Sequence, residues 1–173
     1  MSIHENIVPY DKNWPILYKG EAENIKKVFG KDLVHISHIG STSIPGLASK
    51  PIIDIAVLIS SYEKADKYIE LLSKLGYEYD KPKSSPERHF LRKYGDGNYH
   101  LSIAFQDRGS FWERQTKFRD YLIVHEDVRK EYELLKAQLL AEDPTGKGAY
   151  FKGKGEFVNK ILSLAGFTKI IES

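Results

Sequence analysis

Residues 38–57 read HIGSTSIPGLASKPIIDIAV, and they predict two strands joined by a turn of small residues. Gly40 gives the backbone the freedom for a sharp turn and lets a ligand approach the main chain closely. Ser41, Thr42 and Ser43 then place hydroxyl groups beside exposed backbone N–H groups, a combination that suits the oxygens of a phosphate. The turn is therefore a candidate phosphate-binding loop.

A single carboxylate interrupts the second apolar run of this stretch. Residues 52–59 are apolar except for Asp54, and a continuous apolar run is typical of a strand covered on both faces. Because an unpaired carboxylate is costly to bury there, Asp54 is the candidate metal ligand and catalytic acid. Lys50, just before the strand, is a candidate phosphate-binding cation. The alternative is structural, since Gly-Ser turns and hydrogen-bonded aspartates are common in proteins that have no site there.

The same residues resemble a known signature. Gly40-Ser41, twelve intervening residues and Asp54 are similar to the nucleotidyltransferase superfamily, whose pattern is Gly-(Gly/Ser), a spacer and an acidic-apolar-acidic strand. More specifically, HIGSTSIPGLASKPIIDI resembles the GrpB family, and the similarity continues in YDKNW, FRDYL, EYELLK and YFKGKGEFV. The resemblance covers nearly the whole chain. The superfamily pattern is broken at Ala56, which stands where the second acid of a two-metal centre is expected.

Periodicity along the chain predicts a mixed α/β arrangement of the α+β class. Gly95–Asn98 is a strong hairpin signal between the strand-like runs 88–94 and 99–105, and a further short strand is expected at 77–80. Helices are expected over about 13–30, 60–76, 110–124, 127–141 and 156–164, with a glycine- and lysine-rich loop at 145–154. The pattern predicts a mixed β-sheet flanked by helices, with a helical C-terminal part. The resemblance implies that this arrangement is a nucleotidyltransferase-like fold. We expect one domain over residues 1–173.

Composition narrows the function classes. A formal net charge of +2 is too small to indicate a nucleic-acid surface, and the absence of cysteine excludes disulfides and thiolate metal sites. Neither a signal-peptide pattern nor an apolar run long enough to span a bilayer is visible, so we expect a cytoplasmic protein without a membrane partner. Sequence leaves the oligomeric state open.

Strand alternation identifies further candidates on the hairpin. Arg88, Phe90 and Arg92 share one face of the first hairpin strand, and His100, Ser102 and Ala104 share one face of the second. His100 is a candidate catalytic residue, because an imidazole can bind a metal ion or donate to a phosphate. A structural histidine is the competing interpretation. So is a zinc site formed by His35, His38, His89 and His100, although their spacing follows no established zinc pattern.

The resemblance implies a nucleotidyltransferase-like protein that binds a nucleotide or another phosphorylated small molecule with Mg²⁺ and transfers a nucleotidyl or phosphoryl group. In that interpretation Mg²⁺ joins Asp54 to the substrate phosphates, and cationic side chains from several segments neutralise the phosphate charge. The phosphate-binding set is then Gly40, Ser41, Thr42, Lys50, Arg88, Arg119 and Lys154. The alternative function is a non-catalytic nucleotide- or phosphate-binding module that has lost the second metal-binding acid.

Overall fold

The computed structural model describes residues 6–167. Within them the chain forms five helices and five strands, which confirms the predicted α+β class. In chain order these are α1 (Trp14–Phe29), β1 (Leu33–Ile39), β2 (Ile53–Ile59), α2 (Ala65–Ser73), β3 (Glu78–Tyr79), β4 (Arg88–Lys93), β5 (Tyr99–Phe105), α3 (Phe111–Val124), α4 (Glu126–Glu142) and α5 (Ala149–Leu164).

The five strands form one mixed sheet in the order β1-β2-β5-β4-β3. The central pair, β2 and β5, is parallel, and every other neighbouring pair is antiparallel. In register, Asp54 stands opposite His100, and two residues further on Ala56 stands opposite Ser102. Because side chains alternate along a strand, these four residues share one face of the sheet.

The two faces of the sheet carry apolar clusters of different size. The larger cluster joins the face that contains Ile55 and Val57 to residues of α1 and α2, such as Ile25 and Leu72. The face that contains Asp54 has a smaller cluster, formed by Ile39, Ala56, Leu58, Ala104 and Phe111. The larger cluster supplies most of the core, and the second face is left to polar groups at its Asp54 end.

The packing divides the chain into two compact units, one up to Gln115 and one from Thr116 onward. The first contains the sheet with α1 and α2, and the second contains α4 and α5. Whether residues 1–173 form a single domain, as the length predicts, stays a prediction. None of the helices within residues 6–167 combines the length and the apolar character that crossing a bilayer requires.

The predicted loop at 145–154 is wrong from Ala149 onward, because α5 begins there and includes Lys154. The error has a packing cause. A Cβ on Gly153 would stand 2.8 Å from Cδ2 of Leu139 in α4, so this glycine lets the two helices approach closely. Gly153 therefore allows close contact between α4 and α5, and it does not end the helix.

Ser60 and Glu63 form a capping-box pattern, which predicts that the second helix begins near Ser60, and the structure differs there. A short 3₁₀ turn, Tyr62–Lys64, precedes α2, and the residue before α2 makes no side-chain capping bond. The Tyr62 N–H donates instead to Oδ1 of Asp107, 3.1 Å away in the loop after β5. An acid that is distant in the sequence thus accepts a backbone N–H at the start of this segment.

Candidate functional site

The turn after β1 is built against the carboxylate of Asp54. Gly40 has a φ of 71°, and a 3₁₀ turn, Ser41–Ser43, follows it. The turn is closed by the Ser43 N–H, which donates to the Gly40 carbonyl over 3.1 Å. A Cβ on Gly40 would lie 3.0 Å from both Cβ and Cγ of Asp54, so a larger residue would collide with the acid. Gly40 therefore brings the main chain directly against the candidate metal ligand.

One of the turn hydroxyls points into the protein. Thr42 is 1% exposed, and its Oγ1 donates to the carbonyl of Ile52 over 3.4 Å. The same oxygen lies 2.9 Å from Nε2 of His38, whose ring stacks on Tyr18. Since the hydroxyl has one proton, His38 is the donor in that bond. Thr42 and His38 thus fasten the turn to the start of β2.

Ser41 and Lys50 lie at the two ends of the segment that joins β1 to β2, and both are half-buried. The Lys50 carbonyl accepts bonds from the Ile52 N–H over 2.8 Å and from the Ser49 hydroxyl over 3.0 Å. Ser49 in turn pairs with Val8 of the N-terminal segment. The backbone around Lys50 is therefore held firmly, immediately before Asp54.

Asp54 and His100 mark an opening in the two central strands. Every residue of β2 is buried except Asp54, and every residue of β5 is buried except His100. Oδ1 of Asp54 lies 3.5 Å from Nδ1 of His100, and the two side chains are 37% and 20% exposed. The carboxylate and the imidazole thus reach solvent together at one end of an otherwise covered pair of strands.

Tyr94 extends this pair toward the hairpin turn. Its hydroxyl lies 2.8 Å from Nε2 of His100, and its side chain is 44% exposed. The rings of His100 and Phe90 pack edge to face at a centroid distance of 5.0 Å. Sequence reasoning missed Tyr94, whose position between β4 and Gly95 was the available signal. The result is a connected row of acid, imidazole and phenol.

Arg88 brings a positive charge to the same face. Its Nη1 donates to the Ser102 hydroxyl over 3.0 Å, and its guanidinium packs on the rings of Phe90 and Phe111 at 4.8 and 5.0 Å. Burial lowers the pKa of Arg88 and the charge of Asp54 opposes that shift. Because the ordinary pKa of arginine lies above about 12, the group keeps its charge at neutral pH.

A second arginine fixes the start of α3 behind Arg88. Nη2 of Arg114 donates to Oε2 of Glu87 over 2.6 Å, and the Ser110 N–H donates to Oε1 of the same carboxylate over 2.9 Å. Gly109, with a φ of 70°, leaves room for Glu87, since a Cβ there would lie 2.6 Å from the carboxyl carbon. Glu87 therefore holds the loop that carries Phe111 to the Arg88 guanidinium.

The remaining two candidate cations belong to the second unit. Nε of Arg119 in α3 pairs with the neighbouring Asp120 over 2.9 Å. Lys154 lies on α5, with its Nζ 6.0 Å from the centroid of the Tyr150 ring. A contribution of Arg119 or Lys154 to phosphate binding stays a prediction.

The side chains available as metal ligands limit which metal ions the site could bind. The described residues, 6–167, contain no group of three or more His, Cys, Asp or Glu side chains that could hold an ion. The four histidines of the zinc hypothesis also divide between the faces, because His38 and His89 alternate with the row of His100. One Mg²⁺ at Asp54 does fit, since magnesium often takes one carboxylate and completes its octahedron with water and phosphate.

Comparison with known proteins agrees with the predicted resemblance. Residues 5–164 match the family described as GrpB protein. The chain is 36% identical over 152 residues to UPF0157 protein YqkA of Bacillus subtilis, covering 88% of this chain and 44% of YqkA, so it spans less than half of that relative. The crystal structure of the conserved protein GrpB from Enterococcus faecalis has a TM-score of 0.82 and 32% identity, covering 92% of this chain and 96% of that chain.

A weaker structural likeness is to the poly(U) polymerase Cid1. A structure of the poly(U) polymerase Cid1 has a TM-score of 0.48 and 14% identity, covering 87% of this chain and 50% of that chain. A similarity this distant supports no inference about this chain.

Proposed function

The chain belongs to the GrpB family, and from that premise we propose that its Asp54 site binds a nucleotide or another phosphorylated small molecule with one Mg²⁺ ion. The proposal depends on the shared opening of β2 and β5, where Asp54 and His100 stand side by side while the rest of both strands is buried. A solvent-facing carboxylate beside a tight Gly-Ser turn offers an oxygen ligand to a cation and a small-residue surface to a phosphate.

Each group has a distinct part in this proposal. Asp54 holds the ion, and Gly40 keeps the main chain close enough for phosphate oxygens to lie beside it. Bound Mg²⁺ neutralises phosphate charge and polarises the phosphoryl group. Thr42 maintains the turn, because its hydroxyl is already used inside the protein. Lys50 supplies positive charge from the segment just before β2.

Transfer of a nucleotidyl or phosphoryl group from the bound molecule to an acceptor is the second candidate function. The row formed by Asp54, His100 and Tyr94 favours it, because the Tyr94 hydroxyl, 2.8 Å from the imidazole, can orient an acceptor at the exposed hairpin. Binding alone needs no such row. The two functions therefore differ in turnover and share the same binding site.

Thermal unfolding in the presence of nucleoside triphosphates and inorganic tripolyphosphate, with and without Mg²⁺, tests the binding proposal. At a ligand concentration of one hundred times the dissociation constant, the stabilisation is about 2.7 kcal/mol. For a chain of this size that corresponds to an increase of about 5–10 °C in Tm. Asp54→Asn should remove the part of the increase that depends on Mg²⁺.

Asp66→Asn is the matched control, since it makes the same chemical change on an exposed residue of α2. It should keep the full Mg²⁺-dependent increase. A Tm that stays constant for wild type across all ligands at millimolar concentration would overturn the proposal. Release of pyrophosphate or diphosphate by wild type, lost in Asp54→Asn, would establish the transfer function, and binding without release would leave the binding function alone.

A further inference from the structure

The position expected to carry a second metal-binding acid faces a neutral and buried row of the sheet. Ala56 stands opposite Ser102, and Ser102 stands opposite Phe90 on β4. Ala56 is 0% exposed and Ser102 is 3% exposed. On the sheet face that carries Asp54 and His100, the strands β2 and β5 contain no second carboxylate. This row therefore lacks the ligands for a second divalent ion.

The guanidinium of Arg88 lies against that row, where it contacts Ser102. The backbone of Arg88 pairs with Ala104, yet its Nη1 reaches the hydroxyl of Ser102, two residues back along β5 toward His100. Phe90 and Phe111 contact the guanidinium and hold it there. Arg88 thus extends its charge along the sheet toward the acid, and the field of Asp54 acts on it.

Arg88 lies in the field of Asp54 but is not in direct contact with an acid. In the part of the chain that the structure describes, its hydrogen-bond acceptor is the neutral Ser102 hydroxyl, and it forms no ion pair. Glu87, the acid next to it in sequence, is engaged by Arg114 and the Ser110 N–H. A guanidinium has five N–H donors, and a half-buried cation that makes no ion pair favours an anionic ligand.

We propose that Arg88 takes the place of a second metal ion, as a fixed cation that binds the phosphate of the ligand and limits the site to one divalent ion. This inference rests on the proposed function, because both use the same ligand. A guanidinium matches phosphate with two parallel N–H bonds, and it brings positive charge without the ability to activate water. The site therefore keeps part of its phosphate affinity when no metal is present.

Isothermal titration with inorganic tripolyphosphate in EDTA measures that metal-free affinity. Wild type should bind, and Arg88→Met should raise the dissociation constant about tenfold or more, because charge-assisted hydrogen bonds are lost while the length of the side chain is retained. Arg88→Lys should lie between the two, since it keeps the charge without the planar fork. Arg108→Met is the matched control, because Arg108 also packs on an aromatic ring, that of Tyr62 at 3.8 Å.

Counting bound Mn²⁺ by electron paramagnetic resonance in the presence of tripolyphosphate gives a second readout that needs only wild type. One ion per chain is expected. Two ions per chain, or equal metal-free affinity in wild type, Arg88→Met and Arg88→Lys, would overturn the role of Arg88 while leaving Mg²⁺-dependent binding intact. Absence of binding by wild type even with Mg²⁺ would instead overturn the proposed function, and this inference with it.

Discussion

Gly40→Ala is the sharpest test of how the turn and Asp54 fit together. The substitution has two costs. An alanine at a φ of 71° and a ψ of −176° adopts a conformation that is essentially restricted to glycine, which costs about 1–3 kcal/mol. Its methyl group would also stand 3.0 Å from Cβ and Cγ of Asp54, and overpacking of this kind typically adds about 1–3 kcal/mol.

Gly46→Ala separates these two costs. Gly46 has a φ of 82°, but nothing lies within 4 Å of the position of a new Cβ. It therefore carries the conformational cost alone, and Gly40→Ala should lower the free energy of unfolding by a further amount of about 1–3 kcal/mol. At roughly 2–4 °C per kcal/mol for a chain of this size, the difference in Tm between the variants is about 2–12 °C.

Urea unfolding and calorimetry of the two variants measure this difference directly. Gly40→Ala should also lose Mg²⁺-dependent stabilisation by tripolyphosphate, because the carboxylate has to move away from the turn to admit the methyl group. Gly46→Ala should retain it. Equal destabilisation of the two variants would refute the reasoning, since it would mean that Asp54 does not pack on Gly40.

Two further predictions concern polar residues of β4 and the groups that they contact. Burial lowers the pKa of His89 below its ordinary value of 6.5, and its Nε2 has no partner among the described residues. The unfolded chain therefore takes up the proton at a higher pH than the folded chain does, so the stability of wild type relative to His89→Phe should fall as the pH drops from about 7 to 5. Urea unfolding of both proteins at each pH measures this difference. A difference in stability that stays constant with pH would contradict the prediction. Lys93→Met should cost about 1–3 kcal/mol in urea unfolding, because Glu21 is 7% exposed and accepts from the Lys93 ammonium over 3.1 Å. The exposed pair of Lys26 with Glu23 is the control, and Lys26→Met should change stability by less than about 0.5 kcal/mol.

The sequence predicted those parts of the fold that depend on local pattern. Apolar runs located β1 and β2, and the Gly95–Asn98 signal located the hairpin of β4 and β5. The start of α5 was missed because Gly153 serves a contact with Leu139, which lies on a different helix. Local composition has no information about such a contact, so the glycine was interpreted as a loop residue.

For the candidate site, the sequence named individual residues, and the structure adds how they are arranged. Strand alternation placed Asp54 and His100 on suitable faces, and the register brings them together. The inward direction of Thr42 depends on how the turn folds over Ile52, which the run of three hydroxyl residues does not reveal. The reach of Arg88 to Ser102 depends on the neighbouring Phe111, which comes from α3, so pairwise patterns along one strand miss it.

The parallel pairing of β2 with β5 also sets an order of events during synthesis. β1 and β2 emerge first and can pair with each other, but β2 must wait for Tyr99–Phe105 before its other edge is covered. Pairing between such distant segments is slow, and an uncovered apolar strand is prone to associate with other chains. A nascent chain that stops before Tyr99 contains the Gly40 turn and Asp54 but lacks His100. A fragment that ends before Tyr99 therefore contains only part of the candidate site, and one edge of its apolar strand β2 has no partner in the sheet order.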